Sequence, residues 1–317
     1  MPVATSIEDE EPSIVTGTVL IPLLGVSIDE ETAALPTSSD IRVLRREAVS
    51  TTFGDWDDVP ARDNQILTSA THVVELREVT LLKWPQSSAV QLSEETSSRL
   101  DDFVAMLSLS AKGFVGYAEV AIMVPSDTSD PFVYSFLLRD FARRLDAASS
   151  FSSTELSGDD LMKAIARWRT LPRRHPSLRT AAQRLQVVWL REPGSHDSIV
   201  DLCIGIEALV GEGASELVNR ISMRSAAMLA TAGWQPSRET AKAIRDVYSY
   251  RSQVVHGIPG PYKKEMIGLG DGHPMHAVRF AMAALMNLLE VYFEHADLSP
   301  KEVDDRFIYA AFDSSET

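Results

Sequence analysis

Two side chains set the chemical question. Arg251 and His256 lie five residues apart at the end of the segment 237–256, whose boundaries are clearly marked. Ser237 is a good N-cap, with Pro236 before it and Glu239 in the first turn. Gly257, Pro259, Gly260 and Pro261 oppose continuation past His256. On the helix so predicted, Ile244, Val247, Tyr248, Val254 and Val255 form an apolar stripe, and Arg251 occupies the position that completes it. A guanidinium directed at a core or an interface needs a paired carboxylate or a desolvated groove open to an anion. His256, in the last turn, meets the negative end of the helix dipole, which favours an imidazole poised for proton transfer. A cation for an anionic substrate beside an acid–base group is the equipment of phosphoryl chemistry.

The partner predicted for Arg251 is Glu207. It shares an apolar stripe with Val200, Cys203, Ile204 and Val210 on the segment 199–210, where a lone carboxylate is equally out of place. Residues five apart on a straight helix differ in direction by about 140°. Arg251 and His256 therefore converge only if the last turn unwinds at Gly257 or if a second copy of the chain brings its own pair across a twofold axis. The same residues also fit a structural salt bridge and a favourable C-terminal histidine, without any chemistry.

Around this helix the chain divides by character. Its 317 residues exceed the size at which single cores usually stop growing, about 250–300 residues, and predict two domains. The first 12 residues read as an acidic tail. Runs rich in Val, Ile, Thr and Leu at 14–28, 41–44, 72–82 and 114–124 predict strands. Between them Ser93 opens a helix carrying Leu100, Phe103, Val104 and Leu107 at helical spacing. A further helix is predicted over 132–145, and the serines 149, 150, 152 and 153 mark a boundary. Beyond it, segments 159–170, 178–191, 198–210, 215–230, 237–256 and 275–294 carry helical periodicity. The expected fold class is α+β, with a mostly β N-terminal domain over 1–150 and an all-α bundle over 151–317.

Charge follows the same division. The formal net charge is −15, which argues against a generic nucleic-acid binder, but residues 1–150 hold 11 basic and 24 acidic groups and residues 151–317 hold 19 and 21. The acidity of the first half suits a part that stays away from RNA, or that meets an unknown ligand or a basic protein partner. From Lys163 to Arg191 eight basic residues occur with no acidic one: Lys163, Arg167, Arg169, Arg173, Arg174, Arg179, Arg184 and Arg191. With Trp168 and Trp189 interleaved, they are candidates to track an RNA backbone, or else form a solvated face with two core tryptophans. Arg224, between Leu217, Ile221 and Met228, reads as a second cation facing the cleft or as a snorkelling surface arginine.

Other chemistries find little support. The single cysteine, Cys203, excludes a disulfide framework and a multi-cysteine zinc site and fits a reducing compartment; cytoplasm is the expected location. No secretory signal or membrane span is expected, since the longest apolar stretch, 280–293, contains Glu290. His273 and His276 near Asp271 lack companion ligands and predict a loop rather than a metal site. The glycines at 268, 270 and 272 follow no strand and lack the ending of a phosphate loop. Neither metal nor cofactor is expected.

The run Val247-Tyr-Ser-Tyr-Arg251-Ser252-Gln-Val-Val-His256-Gly257 resembles the signature of HEPN domains, an Arg followed after four to six residues by a His. With the Ile206–Leu209 segment, Ile-Glu-Ala-Leu, and the Arg224–Leu229 segment upstream, it is most similar to the Apea-like HEPN group. The match covers about residues 195–295. The resemblance implies a helical domain that dimerises so that Arg and His of both copies meet in one cleft, and in many members a ribonuclease that needs no metal. It implies Arg251 and His256 as catalytic, with a ribose 2′-hydroxyl attacking the adjacent phosphate of single-stranded RNA. Glu207 and Ser252 would support them, and Arg224 with them. Arg167, Arg169, Arg173, Arg174, Arg179 and Arg184 would bind RNA. Apea-like members are associated with phage defence, and others in the superfamily are non-catalytic dimerisation or ligand-sensing modules. Ser252 departs from the Asn, Asp or His frequent after the Arg in catalytic members.

Overall fold

The computed structural model describes residues 11–28, 40–45, 70–83, 90–117, 121–123, 154–191, 194–211, 217–234, 237–258, 262–268, 273–295 and 297–309. The helix predicted over 132–145 and the serine cluster at 149–153 lie outside these residues. The chain forms two compact units, Met1–Ile165 and Ala166–Thr317.

The first unit is built on an antiparallel sheet. Strand β1 (Ser13–Leu23) pairs with β4 (His72–Lys83) along its whole length; β3 (Ile41–Arg45) and β5 (Val90–Leu92) also pair with β4, and β6 (Ala121–Met123) pairs with β1. A short strand, β2 (Val26–Ile28), pairs in parallel with β7 (Thr154–Leu156). The register of β1 against β4 shifts between Gly17 and Val19, where Glu78 takes a positive φ of 56°. This bulge separates two kinds of strand. From His72 to Leu76, β4 is buried on both faces, whereas Val79–Lys83 alternates. The one carboxylate in the doubly buried stretch, Glu75, receives Arg77 at 2.7 Å and Arg42, its cross-strand neighbour, at 3.4 Å.

Helix α1 (Glu94–Ala111) packs on β4 and β5. The hydroxyl of Ser93 accepts the N–H of Thr96 at 3.1 Å. At the other end Lys112 turns left-handed, so that the N–H of Gly113 reaches Ser108 O. Leu100, Phe103, Val104 and Leu107 are buried, as their spacing predicts.

Strands therefore dominate the first half and helices the second. The helices are α2 (Gly158–Thr170), α3 (Pro176–Trp189), α4 (Ser198–Val210), α5 (Leu217–Thr231), α6 (Ser237–Val255) and α7 (Ala277–Glu294). One expectation is corrected: the second half is not wholly helical. Strands β8 (Met266–Gly268) and β9 (Pro274–His276) form an antiparallel pair. Three residues per strand are too few to display a period of two, which is why no alternation announces them.

At the centre of this unit is α4, which packs against α3, α5, α6 and α7. Its Ile199, Leu202, Cys203, Ile206, Leu209 and Val210 are fully buried. Among the described residues no helix is long and apolar enough to cross a membrane. Leu202→Ala is expected to cost about 2–5 kcal/mol, because neighbours on four helices cannot all collapse into the space. Urea denaturation followed by far-UV circular dichroism measures it, and an unchanged midpoint would contradict the central place of α4.

Candidate functional site

The end of α6 is fixed by backbone chemistry. Gly257 adopts φ +60°, its N–H donates to Val254 O at 3.1 Å, and the N–H of Ile258 donates to Gln253 O at 3.1 Å. This paired pattern makes His256 the C-cap residue. The N–H of His256 still donates to Ser252 O at 3.0 Å, so the helix is wound through the histidine. Of the two routes by which Arg251 and His256 could converge, unwinding at Gly257 is thereby removed.

The two side chains leave α6 in different directions. His256 is exposed, together with Ser252 one turn earlier. Arg251 is half-buried on the inward side with Ile244, Val247 and Tyr248, and its Nε is buried without a hydrogen-bond partner. Val255, expected in the apolar stripe, is 49% exposed. Among the described residues no hydrogen bond joins Arg251 to His256.

Glu207 comes to the same seam. Its carboxylate and the Arg251 guanidinium both act on Cys203 and Tyr248, which lie between α4 and α6. Burial pushes the Cys203 thiol well above its usual range, with Glu207 adding to the rise and Arg251 opposing it. Burial likewise pushes up the Tyr248 phenol, reinforced by Cys203 and Glu207 and opposed by Arg251; its hydroxyl donates to Cys203 O at 3.3 Å. The charges converge as the sequence predicts, but not as the predicted pair. No ion pair joins Arg251 to Glu207 among the described residues, and the guanidinium keeps a desolvated donor.

Arg224 neither faces a cleft nor snorkels. It is 3% exposed, grips Asp304 with two bonds of 2.7 and 2.6 Å, and donates to Val210 O at 2.8 Å. Val210 ends α4, so the arginine caps a carbonyl with no partner inside that helix. It also docks the π-helical turn Asp304–Tyr309.

The basic strip is corrected in the same sense. Arg167 is 5% exposed, pairs with Glu290 and lies 5.0 Å over the Phe293 ring. Arg174 donates to Phe293 O at 3.2 Å, while Arg184 and Arg191 share Asp201 at 3.0 and 2.5 Å. Arg179 is half-buried, Arg169 and Arg173 are exposed, and Trp168 is a core residue. Three of the eight cations of this stretch, Arg167, Arg184 and Arg191, are thus neutralised by acids of α4 and α7. The stretch does not offer RNA a continuous row of free cations.

Two groups of residues escaped sequence reasoning. One is the cluster that seats the β8–β9 pair on α6: fully buried Tyr250 hydrogen-bonds His196 Nδ1, and its ring meets Tyr262 at 5.6 Å and His276 at 6.2 Å. Burial, helped by Glu265 and Tyr262, pushes the Tyr250 phenol up to about 12. Gln253 bonds Lys263 N and O, and Lys264 pairs with Asp246 at 3.1 Å. His276 Nδ1 accepts the N–H of Val278 at 3.2 Å, capping α7, and Nε2 faces Glu265 at 3.4 Å. The other group is Arg238, Lys242, Arg245 and Ser249, exposed on the outward face of α6 in line with Ser252 and His256. Their alternating four- and three-residue spacing was legible as the complement of the apolar stripe.

No protein-family model matches this chain, and no curated protein or solved structure matches it.

The Asp304 carboxyl is held below the usual carboxylate range, chiefly by hydrogen bonding from Arg224. As pH falls the unfolded chain takes up this proton first. The pair's contribution is therefore complete at neutral pH and is lost as pH drops below about 4. Arg224→Met is expected to cost about 2–4 kcal/mol at neutral pH, less than a wholly buried pair because Asp304 is 30% exposed. It should also flatten the acid limb of a stability–pH curve; wild-type stability and acid sensitivity would contradict the clamp.

Proposed function

We propose that the chain is a metal-independent endoribonuclease of the HEPN type that acts as a homodimer on single-stranded RNA. The observation that carries the reading is the state of Arg251: a half-buried guanidinium, without a carboxylate bonded to it, whose Nε is desolvated and unpartnered. A phosphate oxygen would supply the missing acceptor. The sequence similarity to Apea-like HEPN domains gives the reading its reaction.

Cleavage by 2′-hydroxyl attack needs a base to remove the hydroxyl proton and an acid to protonate the departing 5′-oxygen. The new O–P bond closes a 2′,3′-cyclic phosphate as the P–O5′ bond breaks. One imidazole per chain provides one such group, and a second copy provides the other. Arg251 stabilises charge on the non-bridging oxygens, with Glu207 acting on it through the shared seam. Ser252, one turn from His256, donates a hydrogen bond to phosphate. The opposed directions of Arg251 and His256 within one chain make the partner a requirement of this reading. Cytoplasmic location, and service in defence or stress response with the acidic N-terminal unit as sensor, belong to the same proposal.

The opposed directions also favour a second reading, a non-catalytic dimerisation or ligand-sensing module with the same fold. His256→Ala separates the two, because the residue is exposed and its loss leaves the helix cap to Gly257. Cleavage of single-stranded RNA in the presence of EDTA is expected to fall by about 10²–10⁴-fold with the dimer mass unchanged. Absence of cleavage by the native protein, or cleavage indifferent to His256, would leave the module.

A further inference from the structure

We propose that the outward face of α6 is a track for a single-stranded phosphodiester backbone, running from Arg238 through Lys242, Arg245, Ser249 and Ser252 to His256. All six residues are exposed. Eighteen residues make five whole turns, so Arg238 and His256 lie on one line about 27 Å long. Neighbouring positions stand about 5–6 Å apart, close to the spacing of phosphates along an extended strand.

Charge and residue choice favour a ligand over helix stability. None of the three cations is paired with a carboxylate among the described residues, although the chain carries a formal charge of −15. The acids on this helix, Glu239 and Asp246, lie about a quarter-turn round from the track, and Asp246 is engaged by Lys264. Arg245 donates to Ser222 Oγ at 3.4 Å, which leans the guanidinium toward α5 without neutralising it. The dipole of a helix favours cations in its last turn, yet α6 has none there and places all three in its first half. Ser249 and Ser252 are poorer helix formers than Ala, Lys or Glu on an exposed face, but they bring hydroxyl donors up to His256. Cations holding the backbone upstream and neutral donors beside the imidazole make an ordered approach to it.

The track rests on the nuclease reading only for what happens at His256, since backbone binding is measurable without cleavage. The probe is a 2′-O-methyl oligouridylate of about twelve nucleotides, which cannot be cut, titrated by fluorescence anisotropy against the full chain over a range of salt. Replacing Arg238, Lys242 and Arg245 together by Gln is expected to weaken binding about tenfold or more. It should also reduce the slope of log K against log salt by about two. Replacing the exposed Lys83, Lys112 and Lys301 by Gln changes net charge equally away from α6 and is expected to leave the slope alone. The proposal is overturned if the native chain does not bind the probe, if the α6 variant keeps native affinity and slope, or if both variants lose equally. It is also overturned if the native chain prefers phosphatidylserine vesicles to the oligonucleotide. Track-dependent binding without any RNA cleavage would end the nuclease reading and keep the track; cleavage with binding indifferent to the α6 variant would do the reverse.

Discussion

The last carbonyls of a helix have no partner inside it, and α4 ends on Leu209 and Val210, both fully buried. Its own C-cap donates Gly211 N–H to Glu207 O, and the last two carbonyls are completed from elsewhere: Tyr292 O–H donates to Leu209 O and Arg224 to Val210 O. A buried carbonyl left without a donor costs about 1–3 kcal/mol, so Arg224 and Tyr292 are constraints on α5 and α7 as much as gains for α4. Burial pushes the Tyr292 phenol above its usual range, which keeps it a donor at any ordinary pH. Once α5 and α7 are fixed by these bonds, α6 has one seam left to fill.

That seam explains the character of the candidate site. Along it α4 presents Cys203 and Glu207, and α6 presents Tyr248 and Arg251. Tyr248 takes the backbone carbonyl of Cys203, leaving the two full charges near one another without a direct bond. A half-buried guanidinium whose Nε is desolvated leaves one buried donor without an acceptor, a cost a purely structural arginine does not recover. The state is reasonable for an arginine that meets an anion. His256, held by a glycine-capped helix end on the opposite side of α6, has the opposite property of open access. Within one chain the Arg251 guanidinium and the His256 imidazole are not brought together.

What was legible in the sequence was local. The end of α6 was readable because a left-handed residue after a helix is inexpensive only for glycine, and the start of α1 because Ser93 has few uses other than capping. The apolar spacing reported the inward face of α1 and, apart from Val255 at its exposed end, of α6. What was not legible depended on residues far along the chain. The partner of Arg224 is 80 residues away, and the acids that neutralise Arg167 of α2 and Arg184 of α3 sit on α7 and α4. Reading charge along a segment overstated that strip and overlooked the outward face of α6, whose cations are spread over several turns. The β8–β9 pair is too short to carry a period, and it is held by Gln253 and Tyr250 through contacts that composition does not reveal.

The central claim is that the Arg251 and His256 of two copies act together, and a mixed dimer tests it most directly. Native and His256→Ala chains are co-expressed and the mixed dimer is isolated with distinct tags. If one cleft draws its acid and its base from two chains, the mixed dimer falls close to the inactivity of the His256→Ala homodimer, because one imidazole is missing from the only cleft. If the mixed dimer keeps about half of native RNA cleavage, each chain acts alone and the shared site does not exist.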